Sequence, residues 1–226
     1  MEQTVAGKGA GMADDVVVMW FRRDLRLGDN PALRAAAEAG RVVPLFVHDA
    51  ALAAPSGANR VAYLHATLDA LADDIGRSAL VERSGDPADV VPGLAEEVGA
   101  RTIFAAEDFG PYGRRRDDAV AAALGSSGRE LRFVGSPYAV RPGTIETKGG
   151  GPFKVFTPFS KAWRAHGWDE PEGAADVDWR LRVRSDPRPP TPKPDATVGL
   201  PPAGERAAWE LADAFLSERV DGYRDD

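Results

Sequence analysis

The chain has 226 residues, 43% hydrophobic and 28% charged, with a formal net charge of -7 and no cysteine. That length supports one sizeable core plus an appendage; the missing cysteines exclude disulfides and thiolate metal sites, and three scattered histidines (His48, His65, His166) do not make a metal centre. The acidic balance argues against a coat of positive potential, and with no apolar run of the roughly 18 residues that span a bilayer and no signal-like N-terminus, a cytoplasmic protein without membrane contact is expected.

Residues 1–14 are Gly-rich and polar and are expected to form a disordered tail. Val16 to Phe21 (VVVMWF) reads as a buried strand, and WFRRDLRLGDNPAL places Arg22, Arg23, Asp24, Arg26 and Asp29 directly behind it. Asn30 suits an N-cap and Pro31 the first helical position, so a helix is predicted from Pro31 to Ala39, stopped by Gly40. Val42 to Val47 is a second strand. Apolar residues at Val61, Leu64, Leu68, Leu71 and Ile75 give Arg60 to Gly76 helical spacing.

The alternation continues with a strand at Leu80 to Arg83, a helix at Pro87 to Val98, a strand at Arg101 to Ala106, a helix at Arg114 to Leu124 and a strand at Leu131 to Val134. Strands that are apolar throughout and separated by helices predict an α/β fold, a doubly wound five-stranded parallel sheet of Rossmann-like type over residues 15–136. Residues 137–180 read as an irregular segment and a helix completing this domain. Residues 181–203 read as a linker, because Asp186 to Pro202 holds seven prolines in 17 residues. From Gly204 an amphipathic helix carries Ala208, Leu211, Phe215 and Leu216 on one face, with no evident partner.

In open α/β sheets ligands bind beyond the carboxyl ends of the strands. The residues there are Arg22, Arg23 and Asp24, then His48 and Asp49, Gly85 and Asp86, and Glu107 and Asp108, with Phe109 and Tyr112 close by. The competing reading is that these loops are polar because they are solvated. Neither GxGxxG nor GxxxxGK[ST] is present, so side chains rather than a glycine cradle would hold a ligand. No GxSxG elbow supports a serine triad. His65 reads as a helix-face residue, and His48 beside Asp49 is the better site candidate. Arg141, Lys148, Lys154, Lys161 and Arg164 against Glu146 give a local +4, interleaved with Phe153, Phe156, Phe159 and Trp163. A nucleic-acid footprint is one reading; the preferred one is that these aromatics staple an extended segment onto a neighbouring domain.

WFRRDLRLGDNPAL, PLFVHD, NRVAYLHATLDAL, SGDPADVVPGLAEEVGA, EDFGPYGRRRDDAV and PFKVFTPFSKAWR stand in an order and spacing that resemble the N-terminal domain of DNA photolyases and cryptochromes. The resemblance runs from Val16 to about Arg164. It implies light-driven repair of cyclobutane pyrimidine dimers, in which this domain holds an antenna chromophore that passes excitation to FAD in a C-terminal helical domain. It implies antenna contacts at Phe46, Asp49, Arg60, Asp108, Tyr112, Gly113 and Arg116, in the manner of 8-hydroxy-5-deazaflavin-type relatives. Methenyltetrahydrofolate is disfavoured, because Tyr112 and Gly113 stand where folate-type relatives have Asn-Glu. Arg23, Asp24, Arg26 and Asp29 form a structural signature, in which Arg23 and Asp24 are expected to make ion pairs that hold the loop and Asp29 and Asn30 to manage the helix start.

Residues 204–226 are expected to begin a truncated FAD-binding domain, so that no catalytic residue lies in this chain and it lacks repair activity alone. UV-damaged DNA is the implied partner, through the missing domain, and a monomer is expected. The alternatives are a cryptochrome-like blue-light photoreceptor fragment and a free-standing nucleotide-binding module.

Overall fold

The computed structural model describes residues 15–223, and the expected disordered tail at 1–14 lies outside the described residues. The elements are β1 (Val16–Phe21), α1 (Pro31–Ala39), β2 (Arg41–His48), α2 (Ala50–Ala53), α3 (Ala58–Ile75), β3 (Val81–Ser84), α4 (Pro87–Val98), β4 (Thr102–Ala105), α5 (Pro111–Gly125), β5 (Glu130–Phe133), α6 (Phe156–His166) and α7 (Glu205–Glu218). All five strands are parallel, in the order β3-β2-β1-β4-β5, so the predicted doubly wound sheet is present.

β1 lies at the centre, and its alternation divides the core. Val17, Met19 and Phe21 join Leu33, Leu68 and Leu71 beneath α1 and α3, while Val18 and Trp20 join Val91, Leu94, Val120 and Leu124 beneath α4 and α5. Both faces are covered, so β1 is apolar at every position. Burying each larger side chain contributes roughly 1.5–3 kcal/mol, which makes this strand the anchor of both layers.

Local chemistry sets the element ends. Asn30 caps α1 by accepting the Leu33 amide at 3.1 Å, and its own amide reaches back to the Arg26 carbonyl at 3.0 Å. α4 ends on Gly99, whose φ of 75° is the left-handed conformation that glycine adopts without strain. Pro44 sits inside β2, a position that ordinarily argues against an inner strand. β3 pairs with β2 only from Leu45 onward, so the missing Pro44 donor falls before that ladder begins.

The Pro-rich stretch is extended, as its composition requires, and much of it is tied down. Val42 donates to the Asp178 carbonyl at 2.8 Å and accepts from the Arg180 amide at 2.7 Å, forming a parallel bridge at Trp179. Further on, Asp186 donates to the Glu82 carbonyl at 2.8 Å, and its carboxylate accepts the Ser84 amide at 3.0 Å. Residues 177–188 thus form a strap that pairs first with Val42 at the start of β2 and then runs along the outer edge of β3, a sheet edge otherwise left with unpaired backbone groups.

The chain then reaches α7. The Glu205 carboxylate accepts the backbone N–H groups of Leu27 and Gly28 at 2.7 and 3.0 Å, seating the start of α7 on the loop between β1 and α1. Trp209, Leu211, Phe215 and Leu216 of α7 are exposed. The aromatic segment at α6 is exposed too, with Phe156 at 77%. Tyr223 lies edge-on to Phe215 at 5.8 Å and Trp168 stacks on Trp163 at 4.7 Å, and the rest of these apolar faces stays exposed.

Candidate functional site

The sheet order reverses beside β1, whose two neighbours, β2 and β4, come from different halves of the chain. Beyond the carboxyl ends of β1 and β4 the chain gathers Arg22, Arg23, Asp24, Glu107 and Asp108. This is the crevice at which such sheets place ligands.

Arg22 turns inward. Its Nη1 meets Asp117 Oδ1 at 2.5 Å, its Nη2 donates to the Ala106 carbonyl, and its guanidinium lies 4.8 Å from the Trp20 ring centre. Burial pulls the Arg22 guanidinium below its ordinary value, opposed by the Asp117 charge. Arg116 shares Asp117 at 2.8 Å, reaches Asp108 at 3.3 Å and lies 5.1 Å from the same indole. Two arginines and two aspartates are thereby locked together against one tryptophan.

α5 supplies most of the rim. Tyr112 and Arg116 are one turn apart, so both face the strand ends. The Tyr112 hydroxyl donates to Asp49 Oδ2. Burial and then the Asp49 hydrogen bond push the phenol up to about 12, so it remains a neutral donor across the ordinary pH range. Gly113 is required by space: a Cβ there would collide with the Asp108 carboxylate, which leans over the start of α5 and accepts the Gly110 amide at 3.1 Å.

Of the seven residues implied as antenna contacts, five come together here: Asp49, Asp108, Tyr112, Gly113 and Arg116. Phe46 does not line this cluster. It lies in the core beneath α1 and α3, with its ring edge-on to His48 at 5.1 Å. Arg60, in the first turn of α3, lines an open cleft of about 1500 Å³ that shares Arg23, Asp24 and Glu107 with the crevice, but none of Asp49, Asp108, Tyr112, Gly113 and Arg116 lines it. Asp49 has a second duty that sequence reading missed: it caps the short helix α2 by accepting the Ala51 amide at 2.9 Å. His48 turns away from Asp49 and pairs with Glu82 at 2.7 Å inside the fold.

The expected ion pairs of Arg23 and Asp24 need correction. Arg23 is 63% exposed at its side chain and only 3.8 Å from Asp108, too long and too wet to hold the loop. Asp24 is buried and makes no ion pair among the described residues; its Oδ1 accepts the Arg22 amide at 3.2 Å. The true pair is Arg22–Asp117, because the residue just past β1 is the one that points into the layer under α5. A signal for it existed: Gly113, Asp117, Val120 and Leu124 mark the buried stripe of α5, and an acid on such a stripe demands a cation. Arg26 keeps its place in the signature, donating to the Gly28 and Asp29 carbonyls at 3.1 Å and closing the turn in which Asp29 has a φ of 47°.

The family model described as DNA photolyase matches residues 17–176. This chain belongs to the DNA photolyase family. It is 36% identical over 222 residues to the deoxyribodipyrimidine photo-lyase of Streptomyces griseus, covering 93% of this chain and 48% of that relative. Among solved structures, a bacterial class III photolyase from Agrobacterium tumefaciens aligns with a TM-score of 0.75 at 29% identity, over 95% of this chain and 46% of that one. An archaeal photolyase from Sulfolobus tokodaii, solved with two FAD molecules and described as implying a novel light-harvesting cofactor, aligns with a TM-score of 0.62 at 27% identity, over 72% and 38%. The photolyase-family chain described here spans about half the length of the curated relatives it matches.

Proposed function

We propose that this chain is the antenna-binding portion of a light-driven deoxyribodipyrimidine photolyase. The observation that carries the reading is the convergence of Tyr112, Asp49, Asp108 and Arg116 at the strand ends. The donor set suits the polar edge of a hydroxylated, carbonyl-bearing ring of the 8-hydroxy-5-deazaflavin type: Asp49 and Asp108 accept from hydroxyl or ring N–H groups, and Arg116 neutralises a carbonyl or phenolate oxygen. Tyr112, held neutral, orients Asp49 and closes the rim. Such a chromophore absorbs light and passes the excitation on. The residues of this chain bind and orient it and do no bond chemistry, so none is a catalytic residue in this reading.

FAD and the DNA lesion fall to a helical domain, of which α7 would be the first helix. The exposed apolar faces of α7 and α6 support that assignment, as does the seating of Glu205 on the loop after β1. On this reading the described chain does not split pyrimidine dimers alone. The test is titration of the purified chain with 8-hydroxy-5-deazaflavin, followed by its fluorescence. Saturable binding at one equivalent, weakened in Tyr112→Phe and Arg116→Gln, is expected; no binding by a folded chain, or binding indifferent to both substitutions, overturns the assignment.

A further inference from the structure

A second cluster of titratable groups lies at the opposite side of the sheet, where the strap meets β3. Glu82 is its centre. Its Oε2 is 2.7 Å from His48 Nε2, and Arg188 grips the same carboxylate with Nε at 2.7 Å and Nη2 at 2.6 Å. Arg188 also reaches Asp69 at 2.8 Å and the His65 carbonyl at 3.3 Å. His65 Nδ1 bonds to the Thr191 hydroxyl at 2.7 Å, and the His65 and His48 rings meet edge-on at 5.6 Å. Both imidazoles are buried. The side-chain hydrogen bonds that fasten Arg188 and Thr191 to β3 and α3 run to Glu82, Asp69 and His65.

We propose that His48, His65, Glu82 and Arg188 form a proton-operated clasp, which holds the strap along the edge of β3 at neutral pH and releases it on acidification. The groups facing His65 are Arg188 from the strap, His48 from β2, Glu82 from β3 and Asp69 from its own helix. Burial, then Arg188 and His48, hold His65 below its ordinary value of 6.5, against the weaker pull of Glu82 and Asp69. At neutral pH His65 is therefore neutral in the closed clasp. A proton arriving on its ring places a cation between Arg188 and His48, in a site closed to water. Hydration relieves that charge, and the cover over the ring is the strap itself.

The sign follows. A histidine depressed in the closed state and ordinary in the open state binds more protons when open, so closure weakens as pH falls below about 6.5. The strap is the element that yields: it is held by a few hydrogen bonds and side chains, whereas β1 and β2 are buried on both faces. Because it leads to α7, release frees the approach of that helix to the sheet.

The test is amide hydrogen exchange on the intact chain at about pH 7.5 and about pH 5, corrected for the intrinsic rate and followed at residues 179–188 with Val18 and Val43 as internal controls. Protection of the strap should fall at least about tenfold at the lower pH while the controls stay unchanged. In His65→Gln, which retains a hydrogen-bonding group but cannot take up a proton in this range, the pH response should disappear. Glu82→Gln should leave the strap weakly protected at both values. Equal strap protection at the two pH values in the wild-type chain, or a pH response that survives in His65→Gln, overturns the proposal. Should either variant fail to fold, the carbon-bound ring protons of wild-type His65, followed by NMR, decide it. Titration above 6.5, or titration without change at the Thr191 amide, refutes the clasp.

Discussion

Asp117 holds the Arg22 guanidinium at 2.5 Å, and both side chains are 6% exposed. Arg116 shares the same carboxylate, so one aspartate neutralises two buried cations beneath the Trp20 ring. Replacing it leaves Arg22 without an ion-pair partner, and Arg116 with Asp108 alone, in a setting with little water. Asp117→Ala should cost about 3–5 kcal/mol of folding stability, a large share of what a domain has. Asp117→Asn, which keeps a carbonyl acceptor, should cost less. Urea denaturation of the three proteins checks the ranking, and a near-neutral Asp117→Ala contradicts it.

Tyr112 is expected to stay protonated well beyond the usual phenol range, with ionisation near 12. Ultraviolet difference titration should show a tyrosine ionising near 12, and that transition missing from Tyr112→Phe. The phenylalanine keeps the ring and loses the hydrogen bond to Asp49, so its stability should change by no more than about 1 kcal/mol. A large collapse of stability would instead make Tyr112 a packing residue.

Glu82 sits in the other titratable cluster. Burial pushes its carboxyl up, yet the hydrogen bonds from His48 and Arg188 outweigh burial and bring it down to about 2. A depressed carboxyl contributes stability that is fully present above its ordinary value of 4.5 and is lost as pH falls toward 2. The loss should reach at most about 3 kcal/mol. Denaturant midpoints of wild type and Glu82→Gln should therefore converge across that acidic window; curves that stay parallel would remove Glu82 from the account.

The seat of α7 depends on two residues. Glu205 bonds the Leu27 and Gly28 amides, and a Cβ at Gly28 would press on the same carboxylate. Glu205→Ala and Gly28→Ala should both raise hydrogen exchange in α7 several-fold while leaving the sheet amides protected. Unchanged exchange in α7 would show that its position owes nothing to this contact.

The sheet was legible because its inner strands β1 and β2 are buried on both faces, so β1 announces itself as an unbroken apolar run, and because Asn30-Pro31 and Gly40 bracket α1 by local backbone chemistry alone. α2 was not legible: four residues without a buried face carry no period, and only the Asp49 cap marks them. The partners of the charged loop were half legible. Chain order said that charges gather past β1, but which of Arg22, Arg23 and Asp24 turns inward depends on the tertiary position of Asp117, 95 residues away from Arg22. The strap was invisible for a related reason. Proline content identifies an extended chain and says nothing about the edge it lies on.

That strap has a temporal consequence. Ser185, which bonds the Glu82 amide, follows its partner by 103 residues. At 5–20 residues per second, β3 leaves the ribosome about 5–20 s before its cover exists. During synthesis the sheet therefore presents an unsealed edge to neighbouring nascent chains, and the edge is brief to pair with, since β3 is four residues long.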